Sequence, residues 1–395
     1  AEGDVRASEE SRLKTLFRLT ALSAALLGFS EGAWAAIPEG SATGGAILSI
    51  GTGTSSAYGA GAMSIGHNAQ AKVNGALAIA PNSQSHTTVS NGNNAIAIGV
   101  NLRADGSKAI GIGADTNVTG ISAIAIGNND SGRMANQGVN GNGAIGVGSN
   151  LTVRGNNAIA VGTESQAKAN DTVAVGTGAQ ATLANSIAIG KNSFARGLYS
   201  GVKGDGRAIA IGFNTQAIGE DSVAIGSGVD ANAAALAQNR QSVALGWQAR
   251  ATGTTQAVAI GPEAYASGAQ STSIGNNTRA TGDSSIAIGG DDWDDAKKSV
   301  NTQYKALTGS DMSGGYQGTT SATAAVAVGV KAQATGALST AFGPGTIASG
   351  LGASAFGVGA SATQDKSVAI GAGSHTNADA TAVTTATVNG LSLIH

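Results

Sequence analysis

The chain has 395 residues, of which 61 are glycine, while aromatic residues make up 4 % and charged residues 12 %. Glycine is at about twice its usual share and much of the apolar content is alanine, which excludes an ordinary globular domain with a thick core of large side chains. The net charge of −2, with no basic block, argues against a nucleic-acid partner. The absence of cysteine excludes disulfides and Cys-ligated metal sites.

The N-terminal residues follow the order of a secretory signal peptide. Basic residues precede an apolar stretch at 19–29, and a small-residue cleavage site follows at 33–35. The apolar stretch is shorter than the roughly 20 residues of a membrane-spanning helix. We therefore predict that residues 1–35 are a signal peptide with an upstream leader, that the chain is exported, and that residues 36–60 form the N-terminal segment of the mature chain.

A short phrase of the form A-[IV]-A-[IV]-G then recurs along most of the chain. Of the 18 spacings between successive phrases, 12 are 14 residues, and the longer ones are explained by inserts in a 14-residue unit. Internal repeats of this kind are typical of solenoids. The residues that represent the structural repeat are Ile98, Gly99, Ile126, Gly127, Ile189, Gly190, Ile211, Gly212, Ile288, Gly289, Ile370 and Gly371.

The alternation within the phrase predicts a strand. Ile209 and Ile211 fall on one face and Ala210 on the other, because side chains alternate along a strand. A second glycine often follows seven residues after the first, as Gly219 follows Gly212, and marks a second turn. The predicted fold class is therefore all-β, a parallel β-roll or solenoid with about 14 residues per turn.

The two faces of the strand predict different environments. We expect each turn to bury its Ile and Val pair, worth roughly 1.5–3 kcal/mol per side chain, and to depend on stacking because a single turn cannot offset its ordering entropy. The alanine face has two interpretations. It is either a cramped solenoid interior or a close-packed interface between identical rods, and the second interpretation favours an oligomer.

The longest insert, residues 290–325, interrupts the repeat and carries a predicted helix. Val300, Tyr304 and Leu307 have helical spacing, and Gly309 is a fitting end. The insert is either a structural flap packed on its neighbour or a ligand-contacting element, since exposed aromatic residues are favoured in binding sites. Our speculative ligand-binding residues are Trp293, Lys297, Lys298, Tyr304 and Tyr316, with Tyr199 from a shorter insert.

The remaining residues carry no recognisable chemistry. The histidines are scattered singly, and no arrangement supports a catalytic residue, a metal site or a cofactor. Residues 379–390 are predicted to be a degenerate last repeat. We expect residues 391–395 to be a sequencing artefact at the end of a truncated frame.

The repeat resembles that of YadA-like head domains of trimeric autotransporter adhesins, across residues 61–378. The phrases that carry the resemblance include those ending at Gly162, Gly190, Gly246 and Gly371. It implies a left-handed parallel β-roll, a homotrimer, and exposure at the surface of a Gram-negative bacterium, with membrane attachment only through a C-terminal anchor missing from this chain. It also implies an adhesin head with a role in virulence that binds an extracellular-matrix protein or a cell-surface receptor.

Other classes of protein fit less well. A phage or particle fibre could use the same repeat, but a signal peptide counts against it. An acyltransferase β-helix is built from hexapeptides, whereas the half-period here is seven residues. An ice-binding solenoid needs a regular threonine ladder, and threonine is irregular here. The sequence therefore favours a non-enzymatic adhesin head without selecting its ligand.

Overall fold

The computed structural model describes residues 41–42, 48–51, 53–81, 86–129, 138–198, 206–230, 233–376, 385–388 and 391–394. The predicted signal peptide at 1–35 lies outside the described residues. Between residues 41 and 376 the chain forms a solenoid in which each turn, or rung, contributes one strand to each of two parallel ladders. The predicted all-β parallel solenoid with about 14 residues per turn is confirmed.

The long-strand ladder contains the A-[IV]-A-[IV]-G phrases. Its strands are Leu48–Ile50, Met63–Ile65, Leu77–Ile79, Ile96–Val100, Ile110–Ala114, Ile124–Asn128, Ile145–Val147, Ile159–Val161, Val173–Val175, Ile187–Ile189, Ile209–Ile211, Val223–Ile225, Val243–Leu245, Val258–Ile260, Thr272–Gly275, Ile286–Gly289, Val326–Val328, Thr340–Phe342, Ser354–Phe356 and Val368–Ile370.

The short-strand ladder lies opposite and supplies the other half of each rung. Its strands are Ser41–Ala42, Ser56–Ala57, Ala69–Ala71, Thr88–Ser90, Arg103–Ala104, Asn117–Val118, Gly138–Val139, Thr152–Val153, Gln166–Ala167, Gln180–Ala181, Phe194–Leu198, Gln216–Gly219, Leu236–Ala237, Arg250–Ala251, Tyr265–Ala266, Arg279–Ala280, Thr320–Ser321, Gln333–Ala334, Ile347–Ala348 and Ser361–Ala362.

Register within each ladder follows the repeat. Ile187 pairs with Ile209 and Ile189 with Ile211, although 22 residues separate each pair, because the extra residues leave the ladder as an insert. Twenty strands stacked about 4.8 Å apart give a rod on the order of 90 Å long. The ladders begin before residue 61, since Leu48–Ile50 and Ser56–Ala57 already pair with the strands that follow them.

The first corner of each rung follows the long strand and needs glycine for two reasons. Gly190 has φ +124°, and a Cβ there would lie 2.5 Å from the carbonyl oxygen of Gly212 in the next rung. Two residues after this glycine the backbone is left-handed again, usually at a non-glycine residue such as Asn192, with φ 55°. Asparagine tolerates this conformation better than most residues, which explains its frequency at the corners.

The interior of the solenoid is lined by alanine, not by isoleucine and valine. Ala188 is fully buried, whereas Ile189 on the opposite face of the same strand is 37 % exposed. The expectation that each rung buries its Ile and Val pair within the chain is therefore wrong, and the alanine face is the cramped interior rather than an interface between rods. The reason is the short corners, which hold the two ladders so close that only small side chains fit between them.

Larger interior side chains occur where glycine replaces the usual alanine. Leu102 is fully buried, and a Cβ added to Gly111 in the same rung would lie 2.6 Å from a Leu102 methyl group. Gly146 faces Val139 and Leu151 in the same way, at 2.6 and 2.7 Å. The interior is thus filled to a constant volume from rung to rung, as expected for close-packed protein interiors.

Interior serine and threonine residues satisfy the corner carbonyls. Ser193 Oγ donates to the carbonyl of Gly190 at 2.9 Å, and Thr346 Oγ1 donates to that of Gly343 at 2.8 Å. Buried polar groups need such partners. This requirement explains why alanine alternates with serine or threonine three residues after the corner glycine.

Beyond the ladders the chain ends in a small separate sheet. Thr385–Val388 pairs with Leu391–Ile394 in antiparallel orientation. These strands belong to neither ladder, and of the predicted last repeat at 379–390 they include the only residues that the structure describes. The one α-helix in the described part of the chain is Asp294–Thr308, within the long insert.

Candidate functional site

The insert helix docks on the solenoid through one aromatic anchor. Trp293, immediately before the helix, is only 6 % exposed, and its ring meets that of Tyr304 edge-on with centroids 5.5 Å apart. Lys331 Nζ lies 5.1 Å from the centre of the Trp293 ring and donates to the carbonyl oxygen of Ser313 at 3.0 Å. The ammonium of Lys331, 3 % exposed as a residue, thus clamps both ends of the insert against the rod.

The rungs beneath the helix have been emptied of corner side chains. At the left-handed position where most first corners carry a side chain, three successive rungs have Gly345, Gly359 and Gly373, with φ of +65, +64 and +67°. A Cβ on Gly345 would lie 2.7 Å from the Trp293 ring, and one on Gly359 would lie 2.8 Å from Thr308. These glycines form a groove that receives the helix, which ends at Gly309 in left-handed conformation.

The base of the insert is fixed by buried hydrogen bonds. Asp291, 4 % exposed, accepts from the amide groups of Asn276 and Asn277 at 2.5 and 3.2 Å. Thr319 Oγ1 donates to the carbonyls of Gly290 and Gly329 at 3.0 and 2.6 Å. Both ends of the insert are therefore tied to neighbouring rungs, which favours the interpretation as a structural flap.

The speculative ligand-binding residues separate into buried and exposed groups. Trp293 is an internal anchor, and Tyr304 is partly buried, with its pKa raised because burial desolvates the phenol. Tyr316 is 77 % exposed, and Lys298 is exposed beside Asp295 at 2.6 Å. Lys297 is half-buried, and Tyr199 lies outside the described residues. Ligand binding by these residues stays a prediction.

The helix face that was predicted to be apolar is only partly covered. Tyr304 faces the rod, but Val300 and Leu307 are 43 and 56 % exposed. Polar contacts instead secure the outer side of the helix. Asp311 accepts from Asn301 at 2.8 Å and from Lys305 at 2.9 Å, and the Lys305 contact holds the pKa of its carboxyl below the ordinary value.

The outer face of the long-strand ladder is a pair of apolar columns. One column runs through Ile112, Ile126 and their register partners, and both of these side chains are about two-fifths exposed, at 38 and 41 %. Near the C-terminal end it continues through Phe342 and Phe356, whose rings stack with centroids 6.4 Å apart. Contiguous exposed apolar surface of this extent is unusual on a protein that stays monomeric.

The outer face of the short-strand ladder is polar and contains a groove that the sequence analysis missed. Arg250 pairs with Tyr265, and Tyr265 pairs with Arg279, so the three side chains project outward from successive rungs. Each lies four residues after a first-corner glycine, which is the sequence signal that could have found them. The groove has a volume of about 490 Å³ and is lined by Ala233, Gln248, Arg250, Glu263, Tyr265 and Arg279.

Titratable groups elsewhere form surface pairs rather than a reactive centre. Arg207 donates to Asp221 at 2.5 Å and to Glu220 at 3.0 Å, and the hydrogen bond from Arg207 lowers the pKa of Asp221. Across the described ranges, no three His, Asp or Glu side chains gather as a metal site would require. Nor does any helix in those ranges have the length and apolar content to cross a membrane.

Comparison with known families agrees with the geometry. The model of the YadA head domain repeat (2 copies) matches residues 57–79, 104–129, 154–179, 167–193, 206–228, 237–264, 255–278, 266–291, 321–346 and 348–374. A search of curated proteins returned no match. The matched segments cover more than half of the chain and follow the rungs of both ladders, and the chain therefore belongs to the family of YadA head domain repeats.

Proposed function

We propose that this chain is the head of a trimeric autotransporter adhesin that attaches a Gram-negative cell to extracellular matrix, host cells or other surfaces. The family supports the general class, a structural adhesin-like head. The observation that carries the proposal is the pair of apolar columns on the long-strand ladder. They run along a rigid rod whose opposite face is polar, which gives the rod one side for assembly and another for contact with a surface.

The columns support self-assembly on energetic grounds. Within one chain each rung buries mainly alanine, and its Ile and Val side chains stay partly exposed, as Ile189 and Ile211 show. Covering such a side chain is worth roughly 1.5–3 kcal/mol when burial is complete. Because every rung presents the same face, a cyclic arrangement of identical rods covers all copies of it at once. A homotrimer with the long-strand ladders inside satisfies this requirement.

Trimer formation is tested by light scattering coupled to size-exclusion chromatography. We expect a mass three times the 38.1 kDa of the chain. The double variant Ile189→Lys/Ile211→Lys places charges on the proposed interface and should dissociate the assembly. The matched control Gln180→Lys/Gln216→Lys alters the outer face of the short-strand ladder in nearby rungs and should leave the mass unchanged. A monomeric wild-type protein would overturn the homotrimer.

Attachment is tested by display on a non-adherent Gram-negative cell, with the head fused to a heterologous stalk and anchor. We expect these cells to adhere to matrix-coated or host-cell surfaces more strongly than cells that carry the stalk and anchor alone. Equal adherence of the two strains across all surfaces would contradict the adhesin function. The dissociated double variant should lose adherence if the trimer is the active form.

A further inference from the structure

The groove on the short-strand ladder combines two cations and an aromatic ring in fixed register. Arg250 and Arg279 lie one rung on either side of Tyr265, so the Cα atoms of the two arginines are about 9–10 Å apart along the rod. Tyr265 and Arg250 are half-buried and Arg279 is exposed. The backbone ladder fixes the spacing of these three side chains, so the site is pre-organised rather than assembled by a mobile loop.

The groove has a definite end and a definite size. Leu236 is the next member of the column towards the N-terminus, and although it projects from the outer face it is only 8 % exposed. The groove therefore stops at Leu236 and Ala233 instead of running on along the ladder. Its volume of about 490 Å³ is in the range of small-ligand sites, and it is too small for the roughly 800 Å² that each partner buries in a stable protein complex.

The side chains select an anionic ligand with flat, partly apolar faces. A guanidinium pairs in bidentate fashion with sulfate or carboxylate groups, and it stays charged at any physiological pH. Between the two arginines the Tyr265 ring offers a surface on which a sugar ring can stack. Glu263 lines the same groove and opposes an anion, so the net charge of the site is small. Recognition thus depends on placement of the two arginines and not on a high density of positive charge.

We propose that this groove binds an acidic polysaccharide, with sulfate or carboxylate groups on the two arginines and a sugar ring on Tyr265. The inference rests on the proposed adhesin function and names the class of ligand. An extended sugar chain fits because one rung is comparable in length with one sugar unit. Three grooves on a trimer would strengthen weak single-site binding through a raised effective concentration.

The test measures binding of the purified full chain to heparin, a sulfated polysaccharide, to hyaluronan, which carries carboxylates alone, and to neutral dextran. We expect binding to heparin or hyaluronan and none to dextran. Arg250→Gln/Arg279→Gln should weaken binding about tenfold for each arginine removed. Tyr265→Leu should weaken it several-fold while Tyr265→Phe keeps it, because the ring and not the hydroxyl is used. Glu263→Gln should strengthen it.

The control pair is Arg154→Gln/Lys168→Gln, which removes two exposed cations from successive rungs of the same ladder where no aromatic residue lies between them. We expect less than about a twofold change for this pair, given that exposed charges interact weakly. If the control pair weakens binding as much as the groove pair, the attraction is non-specific and the groove is not the site. Absence of binding to both acidic polysaccharides would also overturn the proposal.

The display assay separates this inference from the proposed function. Cells that adhere to protein-coated surfaces while the purified head binds neither polysaccharide would reject the groove ligand and leave the adhesin function intact. A groove variant that loses polysaccharide binding should still form the wild-type assembly. Binding of an acidic protein by the groove, with no polysaccharide binding, would likewise overturn the proposal.

Discussion

At the scale of single residues, Gly190 shows how strictly a corner constrains the sequence. Gly190→Ala would place a Cβ 2.5 Å from the next rung's carbonyl oxygen, at φ +124°. We expect a loss of roughly 1–3 kcal/mol of unfolding free energy from backbone strain alone, measured by chemical denaturation. Gly290→Ala is the control, because nothing lies within 4 Å of a Cβ there. Equal stability of the two variants would contradict this account of the corner.

The interior makes a second prediction at this scale. Gly146→Ala adds a methyl group 2.6 Å from Val139 and 2.7 Å from Leu151, and overpacking of this kind typically costs about 1–3 kcal/mol. Leu151→Ala in the same chain makes room for the new methyl group. We therefore expect the double variant to be more stable than the sum of the two single losses, a coupling that a double-mutant cycle measures. Simple additivity would show that the two positions do not share the space.

At the scale of elements, the insert helix depends on the glycine groove. Gly345→Asn restores the usual corner side chain at φ +65°, which asparagine tolerates, but its Cβ would meet Trp293 at 2.7 Å. We expect the helix to lift while the solenoid stays folded. Red-shifted Trp293 fluorescence and faster proteolysis within 290–325 would report it. Gly352→Asn, at φ +63° with nothing within 4 Å, is the matched control, and identical behaviour of both variants would contradict the docking role.

At the scale of the whole molecule, the rod should tolerate the loss of a whole rung. Deleting residues 163–176 joins Gly162 to Thr177 and removes one strand from each ladder, so that Thr152–Val153 meets Gln180–Ala181 in register. Because each rung contacts mainly its neighbours, we expect a folded rod about 4.8 Å shorter, as measured by circular dichroism and small-angle scattering. Deleting only 163–169 breaks the register and should abolish folding of the flanking rungs.

The sequence predicts the period, the strands and the corners, because alternation and glycine spacing depend on local geometry. It does not predict which face is inside. Hydrophobicity alone would bury Ile189 rather than Ala188, and the opposite is true because the separation of the ladders, a three-dimensional quantity, decides what fits. Burial of Trp293 was missed for the same reason, although glycine at 345, 359 and 373 in place of a side chain was a readable signal.

The candidate groove could have been found by aligning the units at their corner glycines. Arg250, Tyr265 and Arg279 then fall in one column, even though inserts and a 15-residue spacing separate them irregularly along the chain. What the sequence could not give is the end of the groove. Leu236 belongs to the same column, and only the folded chain shows that it is covered.

The division of labour between the two sides of a short strand has a consequence for how this molecule can change. Fold-defining positions are the small inward residues and the corner glycines, whereas outward positions such as Gln166, Phe194 and Arg250 vary from rung to rung at constant backbone geometry. Surface substitutions of this kind usually alter stability by less than about 0.5 kcal/mol. The rod is therefore an addressable lattice of side chains at fixed pitch, on which new specificities can arise, by mutation or by design, without renegotiating the fold.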